Sequence, residues 1–460
     1  MRFQAALRLR LVVALVAALA LLLVGCGGDD DDDEAAATTA ATTAAEETTD
    51  PAQLGEVTLV VWDQEVRGGQ AEAIKKLNQQ FQQKYPNITL KRTARSFTDL
   101  QATLKLAASG PNPPDVVEVN NGYSAMGPLV AAGLLKPLDE YADRYGWEDR
   151  YSEGLVKMNQ FTEDGKSFGT GNLYGVPMTG EVVGVYYNKA KLRTLGLELP
   201  TTFEEFEEAL QEAKAGGEVP IQFGNLDKWT GIHEYEEIQL QQIDKAAARD
   251  FIFAESSEGF DNDDNLAAAQ KLQEWTQKGY FTEGFAGLGY DPSWQQFGEG
   301  KGVFLITGSW LTADLKEALG DDVGFFLLPP PEGGELATLG GEGLPWAISS
   351  KTTGNEAEAA AAYIDFLTSD ESMQVITDAG QLPATRAEVT VPSGLETEVF
   401  EAWTTANAED AIVPYLDWAT PTMYDTVTAS VQELMAARAT PNEFVTRVQA
   451  DYEKFHEGQG

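Results

Sequence analysis

From Val57 onward, short apolar runs alternate with amphipathic stretches. Val57 to Trp62 (VTLVVW) is unbroken in its hydrophobicity and predicts a strand covered on both faces. Gly69 to Tyr85 places Ile74, Leu77, Phe81 and Tyr85 at helical spacing, and Pro86 stops the helix. Ile88 to Arg92 reads as a second strand. Thr98 to Ala108 follows as a helix with Leu100, Leu104 and Ala107 on one face, then Asp115 to Val119 as a third strand. Strand and helix in strict alternation predict an α/β fold with a doubly wound, largely parallel sheet. Ligands of such sheets sit at the carboxyl ends of the strands. That rule directs attention to Asp63-Gln64-Glu65 and Asn120-Asn121, with Glu65 and Asn120 as candidate contacts. Asp63 has an alternative role in capping or bracing the first helix.

The pattern changes after residue 170. Val182 to Tyr187 is extended and apolar. Pro200-Thr201-Thr202, with Glu205 three residues after Thr202, opens a helix through a capping pattern. Leu266 to Lys278 predicts another helix, entered through Asp261-Asn262-Asp263-Asp264-Asn265. That entry imitates the first ligands of a calcium loop. However, Leu266 stands where such a loop needs glycine and Leu272 where it needs an acid, so N-capping by Asp264 or Asn265 is expected instead. Gly302 to Trp310 reads as a strand ending in a Gly-Ser-Trp turn. The segments FFLLPPP and LPWAIS are expected as a strand pair, and 355–379 and 421–455 as helices.

The amino terminus is of another kind. Arg2, Arg8 and Arg10 precede an apolar run from Leu11 to Val24, shorter than the ~20 residues a membrane span needs but suited to an export signal. Leu23-Val24-Gly25-Cys26 resembles a bacterial lipobox, which implies cleavage before Cys26 and a lipid on its sulfur. Residues 27–55 offer almost nothing to bury and read as a disordered tether. The chain holds 73 acidic against 32 basic residues, a net charge of −41, and removing the leader deletes three arginines and no acid. Such a field repels nucleic acid. With no evident Lys/Arg cluster, it also favours a neutral or cationic ligand over an anion. Cys26 is the single cysteine, so neither a disulfide nor a thiol nucleophile is expected in the folded part. His233 and His456 stand far apart, outside any metal or triad motif, and are expected at the surface or hydrogen-bonded. No metal and no cofactor are expected.

Six motifs in order carry a resemblance: YGVP at Tyr174 to Pro177, YYNK at Tyr186 to Lys189, LPTTFEEF at Leu199 to Phe206, FGEGKGVFLITGSW at Phe297 to Trp310, LPWAIS at Leu344 to Ser349, and AAAAYIDFLTSDESMQ at Ala359 to Gln374. The chain resembles the extracellular solute-binding proteins of carbohydrate-uptake ABC transporters, the family that includes maltose-binding proteins. The resemblance implies a periplasmic-binding-protein type II fold: two α/β lobes, each a doubly wound sheet, joined by crossing hinge strands, with sugar held between them. The expected division is a leader at 1–25, a lipid-anchored tether at 26–55, a first lobe from 56–180 and 308–342, and a second lobe from 181–307 and 343–460.

A pyranose presents a flat apolar face that stacks on an aromatic ring and a rim of hydroxyls that need planar polar partners. Nine tryptophans supply the rings, several of them at turns and strand ends. By the resemblance, Trp310 faces the cleft from the Gly-Ser-Trp turn, with a core position at the hinge as its rival. Trp346 belongs to a hinge strand, between core and cleft, and Glu342 precedes it in a glycine-rich segment. Glu181 follows YGVPMTG, where the family places hydroxyl-binding groups. Asn225 and Trp229 lie in FGNLDKWTG, and Tyr415, Asp417 and Trp418 in the loop before the C-terminal helices. The chain departs from maltose-binding members at Met178-Thr179, with no aromatic beside the proline, and at Asn120-Asn121, where some relatives carry aspartate. Ligand identity is therefore open.

The reading is a monomeric, lipid-anchored, extracytoplasmic receptor that captures a mono- to small oligosaccharide, closes at its hinge and presents the sugar to ABC permease subunits. It is not read as an enzyme. One rival is a same-fold receptor for another solute, such as a polyamine. A second is a secreted glycoside hydrolase, which needs paired carboxylates and aromatics but for which no carboxylate motif is visible. A third is a lipoprotein that only bridges partners at the cell surface, which leaves the tryptophan-rich turns without a purpose.

Overall fold

The computed structural model describes residues 49–256 and 259–458, and Cys26, the leader and most of the expected tether lie outside them. Order begins earlier than expected. Asp50 caps a short turn at Pro51–Gln53, Leu54 is buried, and Asn87 and Asn355 donate to the carbonyls of Pro51, Gly55 and Leu54. The tether expected to run to residue 55 therefore ends in a packed segment.

Twelve strands occur along the described chain: β1 (Val57–Asp63), β2 (Ile88–Ala94), β3 (Val116–Glu118), β4 (Gln160–Phe161), β5 (Asn172–Leu173), β6 (Thr179–Asn188), β7 (Phe304–Gly308), β8 (Val323–Phe326), β9 (Thr338–Glu342), β10 (Trp346–Ile348), β11 (Leu382–Pro383) and β12 (Ile412–Val413). The first sheet has the order β10-β3-β1-β2. In it β1 runs parallel to both β2 and β3, as the alternation of apolar runs predicts. Leu59 and Val61 of β1 are fully buried, and helix Gly68–Lys84 turns Ile74, Leu77 and Phe81 inward. Arg92 of β2 grips Asp63 with two bonds of 2.6 Å and donates to the carbonyl of Glu65 at 2.7 Å. Asp63 therefore braces β2 and its own strand end rather than taking the role expected for it at the first helix. A buried carboxylate needs such a partner, because desolvating an unpaired charge is costly.

The second sheet is built on β6. Its first half pairs with β9 and β11, its second half with β7 and β8, and β12 extends β9. The expected allotment of chain to lobes changes in two places. Residues 308–342, expected in the first lobe, contain β8 and β9, which pair with β6. Residues from 343 onward, expected in the second, open with β10, antiparallel to β3, followed by helices Gly354–Leu367 and Asp370–Asp378, which pack on β1 and on helix Gly68–Lys84. The cause is the open flank of β3. The fully buried triplet Trp346-Ala347-Ile348 covers it, as an edge strand must be covered. The FFLLPPP and LPWAIS segments thus belong to different sheets.

The chain crosses between the sheets at Tyr174–Thr179 and again at Glu342–Trp346. These passages run antiparallel, and Val176 and Trp346 exchange two backbone bonds of 3.0 Å. A third passage at β11 leads from helix Asp370–Asp378 to helix Leu395–Ala408.

Helix Phe203–Ala215 starts at Thr202 as expected, with Glu205 N–H donating to its hydroxyl at 3.2 Å. Helix Asp263–Gln277 is capped instead by Asn262, whose side chain accepts from Asn265 N–H at 2.9 Å. The last helix, Pro441–Glu457, opens with a full capping box between Thr440 and Glu443 and sets Phe455 edge-on to Tyr123, 4.7 Å away. Thr440→Ala is expected to cost about 1 kcal/mol and lower Tm by about 1–2 °C, read by calorimetry. An unchanged Tm would deny the box this role.

Candidate functional site

A cleft lies where loops of both sheets meet. The first sheet contributes Gln64, Arg67, Phe97 and Asn120 from the ends of its parallel strands and the helix starts beyond them, where the strand-end rule places ligands. The second lobe contributes Glu181 from β6, Trp310 from the turn after β7, and Trp229 and His233 from the start of helix Thr230–Gln239. Tyr415, Asp417 and Trp418 come from the loop after β12.

Aromatic rings form nearly half of the wall. Trp229 stands 6.3 Å from Trp310 and 4.5 Å from Tyr290. His233 lies 5.2 Å from Trp229 and stacks on Tyr415 at 5.3 Å and 29°. Phe97, carried on the first sheet, meets Trp229 edge-on at 6.0 Å. Trp310 Nε1 donates to the Tyr290 hydroxyl, which lies 2.9 Å from Thr307 Oγ1, so the indole plane is held by hydrogen bonds as well as by packing.

Local backbone explains how Trp229 arrives there. Lys228 adopts φ 71°, unusual for a residue with a side chain. Asn225 Oδ1 accepts from Thr230 Oγ1 and Gly231 N–H, each at 3.0 Å, locking the turn. Asn225→Ala is expected to cost about 1–2 kcal/mol and weaken ligand binding about fivefold by loosening Trp229, whereas Asn225→Asp keeps the acceptor. Calorimetry and titration check this; an unchanged affinity in the alanine variant refutes it. Gly122 makes a second close approach. It adopts φ +75°, and a Cβ there would sit 2.2 Å from that of Trp418, so only glycine lets the loop after β3 touch the loop after β12.

The electrostatics of the cleft are close to neutral despite the acidic chain. Burial, with nearby Glu65 and Glu342, pushes the Glu181 carboxyl up to about 8, against the hydrogen bond it accepts from the Tyr415 hydroxyl at 3.3 Å. Burial pushes Asp417 up to about 7 and His233 down to about 3. At neutral pH, Glu181 is largely protonated and His233 uncharged. Arg67 is the one Lys or Arg along the described wall, and Asp291 pairs with it at 3.1 Å. Among the described residues, no cluster of His, Cys, Asp and Glu is arranged to hold a metal.

Seven of the residues expected at the site line the cleft: Asn120, Glu181, Trp229, Trp310, Tyr415, Asp417 and Trp418. Four do not. Glu65 is buried behind the wall beside Glu118, where burial raises it to about 7. Asn225 is spent on the Trp229 turn. Glu342 is buried where the chain crosses between sheets and accepts from Asn121 Nδ2 at 2.8 Å and Asn159 Nδ2 at 2.6 Å. Trp346 packs edge-on to Tyr363 at 5.9 Å inside the first lobe, in the core rather than the cleft. Arg67, Phe97, Leu344 and Tyr424 join the wall without having been expected there, and Gln64 joins it in place of Glu65. His233 belongs to the wall too, part-buried among rings rather than at the open surface. The strand-end rule pointed at Gln64 beside Glu65, and the next loop residues include Arg67.

Known proteins agree with this geometry. A multiple sugar-binding protein of Streptococcus mutans is 26% identical over 314 residues, covering 67% of this chain and 71% of its own. A maltodextrin-binding protein of Bacillus subtilis is 26% identical over 327 residues, covering 69% and 71%. The solved structure of a chitin oligosaccharide binding protein matches with a TM-score of 0.76 at 24% identity, covering 88% of this chain and 100% of that one, so the two-lobed fold is shared. The family model for bacterial extracellular solute-binding proteins matches residues 76–407, most of the two sheets and the cleft between them, and the chain belongs to that family.

Proposed function

We propose that this protein captures a carbohydrate, a mono- to small oligosaccharide, in the cleft and delivers it to an ABC importer. The observation that carries this reading is the cleft itself: clustered indole, phenol and imidazole rings beside planar groups that are uncharged at neutral pH. Rings take the apolar faces of a pyranose. Asn120, Gln64, neutral Glu181 and His233 take hydroxyls without bringing an unpaired charge into the cleft. The same neutrality disfavours a polyamine, whose charges need ionised partners. A ligand that touches both lobes stabilises the closed arrangement by its differential affinity for it, and closure is what a permease can read. Capture of this kind needs no bond made or broken, so the protein acts as a receptor and not as an enzyme. The leader ending at Cys26 supports a lipid anchor on the outer face of the cell membrane, and the described residues contain no helix long and apolar enough to cross one.

Thermal unfolding of the chain from Glu47 onward, against sugars, polyamines and amino acids, tests this. A micromolar ligand at millimolar concentration adds ~4 kcal/mol to stability. A shift with one class of sugar is expected. A shift with a polyamine and none with any sugar would keep the fold and overturn the ligand.

A further inference from the structure

Across the mouth of the cleft, the two lobes are joined by charge. Arg67 leaves the end of β1 on the first lobe, and Asp291 sits in helix Tyr290–Gly298 on the second. Arg67 Nε lies 3.1 Å from Asp291 Oδ1. The Arg67 side chain is little exposed, 11%, and its guanidinium carbon stands 5.1 Å over the ring of Tyr290, whose hydroxyl accepts from the cleft residue Trp310. The adjacent Gly68 N–H donates to Asp314 Oδ1 at 3.1 Å. Asp291 itself is half exposed and lies outside the cleft wall, and its Oδ1 also accepts from Trp294 Nε1 at 2.9 Å.

We infer that Asp291 is a positioning residue for capture: it draws Arg67 across the cleft mouth onto Tyr290 and so biases the lobes toward the closed arrangement. This rests on the reading of the cleft as a sugar site that works by closure. Apparent affinity is the intrinsic affinity scaled by the fraction of protein in the competent arrangement. An ion pair spanning the lobes raises that fraction, and salt lowers it again by screening. An uncharged sugar has no charge of its own to screen. Its affinity nevertheless acquires a salt dependence that belongs to the pair.

The test compares the native chain with Asp291→Asn and Asp291→Glu, using whichever sugar shifts the unfolding curve. The native affinity is expected to weaken about three- to fivefold between roughly 20 mM and 500 mM salt, the size of one partly exposed ion pair. Asp291→Asn is expected to bind weakly at both salts, and Asp291→Glu to recover the native behaviour. Small-angle scattering without ligand gives an independent reading: at low salt the asparagine variant is expected to show a larger radius of gyration than the native chain. An asparagine variant with native affinity and native salt response overturns the inference, and so do equal radii. If no sugar binds at all, the scattering comparison still decides the inference, and only the proposed ligand falls.

Discussion

Replacing Trp310 with alanine is expected to lower sugar affinity roughly 30- to 1,000-fold, a loss of about 2–4 kcal/mol. The indole is placed for this effect. It follows β7 closely, its Nε1 is held by the Tyr290 hydroxyl, and its ring lies 6.3 Å from Trp229 and 5.9 Å from His233. Truncation removes the stacking surface and leaves the Tyr290 hydroxyl short of a donor, so neighbouring rings loosen as well. Trp310→Phe keeps an aromatic face and loses only the N–H, so it should retain part of the affinity. Because Trp310 is only part-buried at the cleft wall, the fold should survive, with Tm lowered by a few degrees. Isothermal titration beside a melting curve checks both. Native affinity in the alanine variant would remove Trp310 from the site.

The second large effect concerns pH. Burial raises the Glu342 carboxyl from 4.5 to about 8 although two asparagines donate to it. A carboxyl raised on folding holds its proton more tightly in the folded chain than in the unfolded one. Its contribution to stability is fully present below pH 4.5 and is lost as pH rises from there through 8. By linkage the loss reaches at most about 5 kcal/mol for this one group. Glu181 and Glu237, each raised to about 8, and Asp417, raised to about 7, act in the same sense. The protein should therefore melt at a lower temperature at pH 8.5 than at pH 5. Glu342→Gln, which cannot ionise, should flatten the curve and melt higher than the native chain at pH 8.5. Parallel curves for the two proteins would show that Glu342 is not the source.

The first sheet could be read directly because β1 and β3 are apolar runs and β2 begins sharply after the proline that stops an amphipathic helix. Val57 to Asp63 and Ile88 to Ala94 emerged almost to the residue. Pairing over long range could not be read that way. LPWAIS looks like a partner for the strand just before it, yet the uncovered flank of β3, more than 200 residues upstream, takes it. Trp346 shows the same limit. A tryptophan beside glycines suits a cleft as well as a crossing, and only the position of Tyr363 decides for the core. Glu65 and Gln64 are neighbours with opposite fates, one behind the wall and one in it, because consecutive residues leaving a strand face opposite ways. His233 seemed isolated since only Trp229 lies near it in sequence, while Trp310 and Tyr415 reach it from segments far downstream.

The edge position of β10 has a consequence for how the molecule is made. The first lobe presents a strand with one flank unpaired, β3, until Trp346–Ile348 has been synthesised roughly 230 residues later, an interval of ten seconds or more at ordinary translation rates. Its covering helices, Gly354–Leu367 and Asp370–Asp378, come later still. A nascent chain therefore cannot complete even its first lobe while the ribosome is at work on the second. For the export proposed above, this delay keeps the chain loose enough to be threaded across a membrane, and leaves folding to the far side.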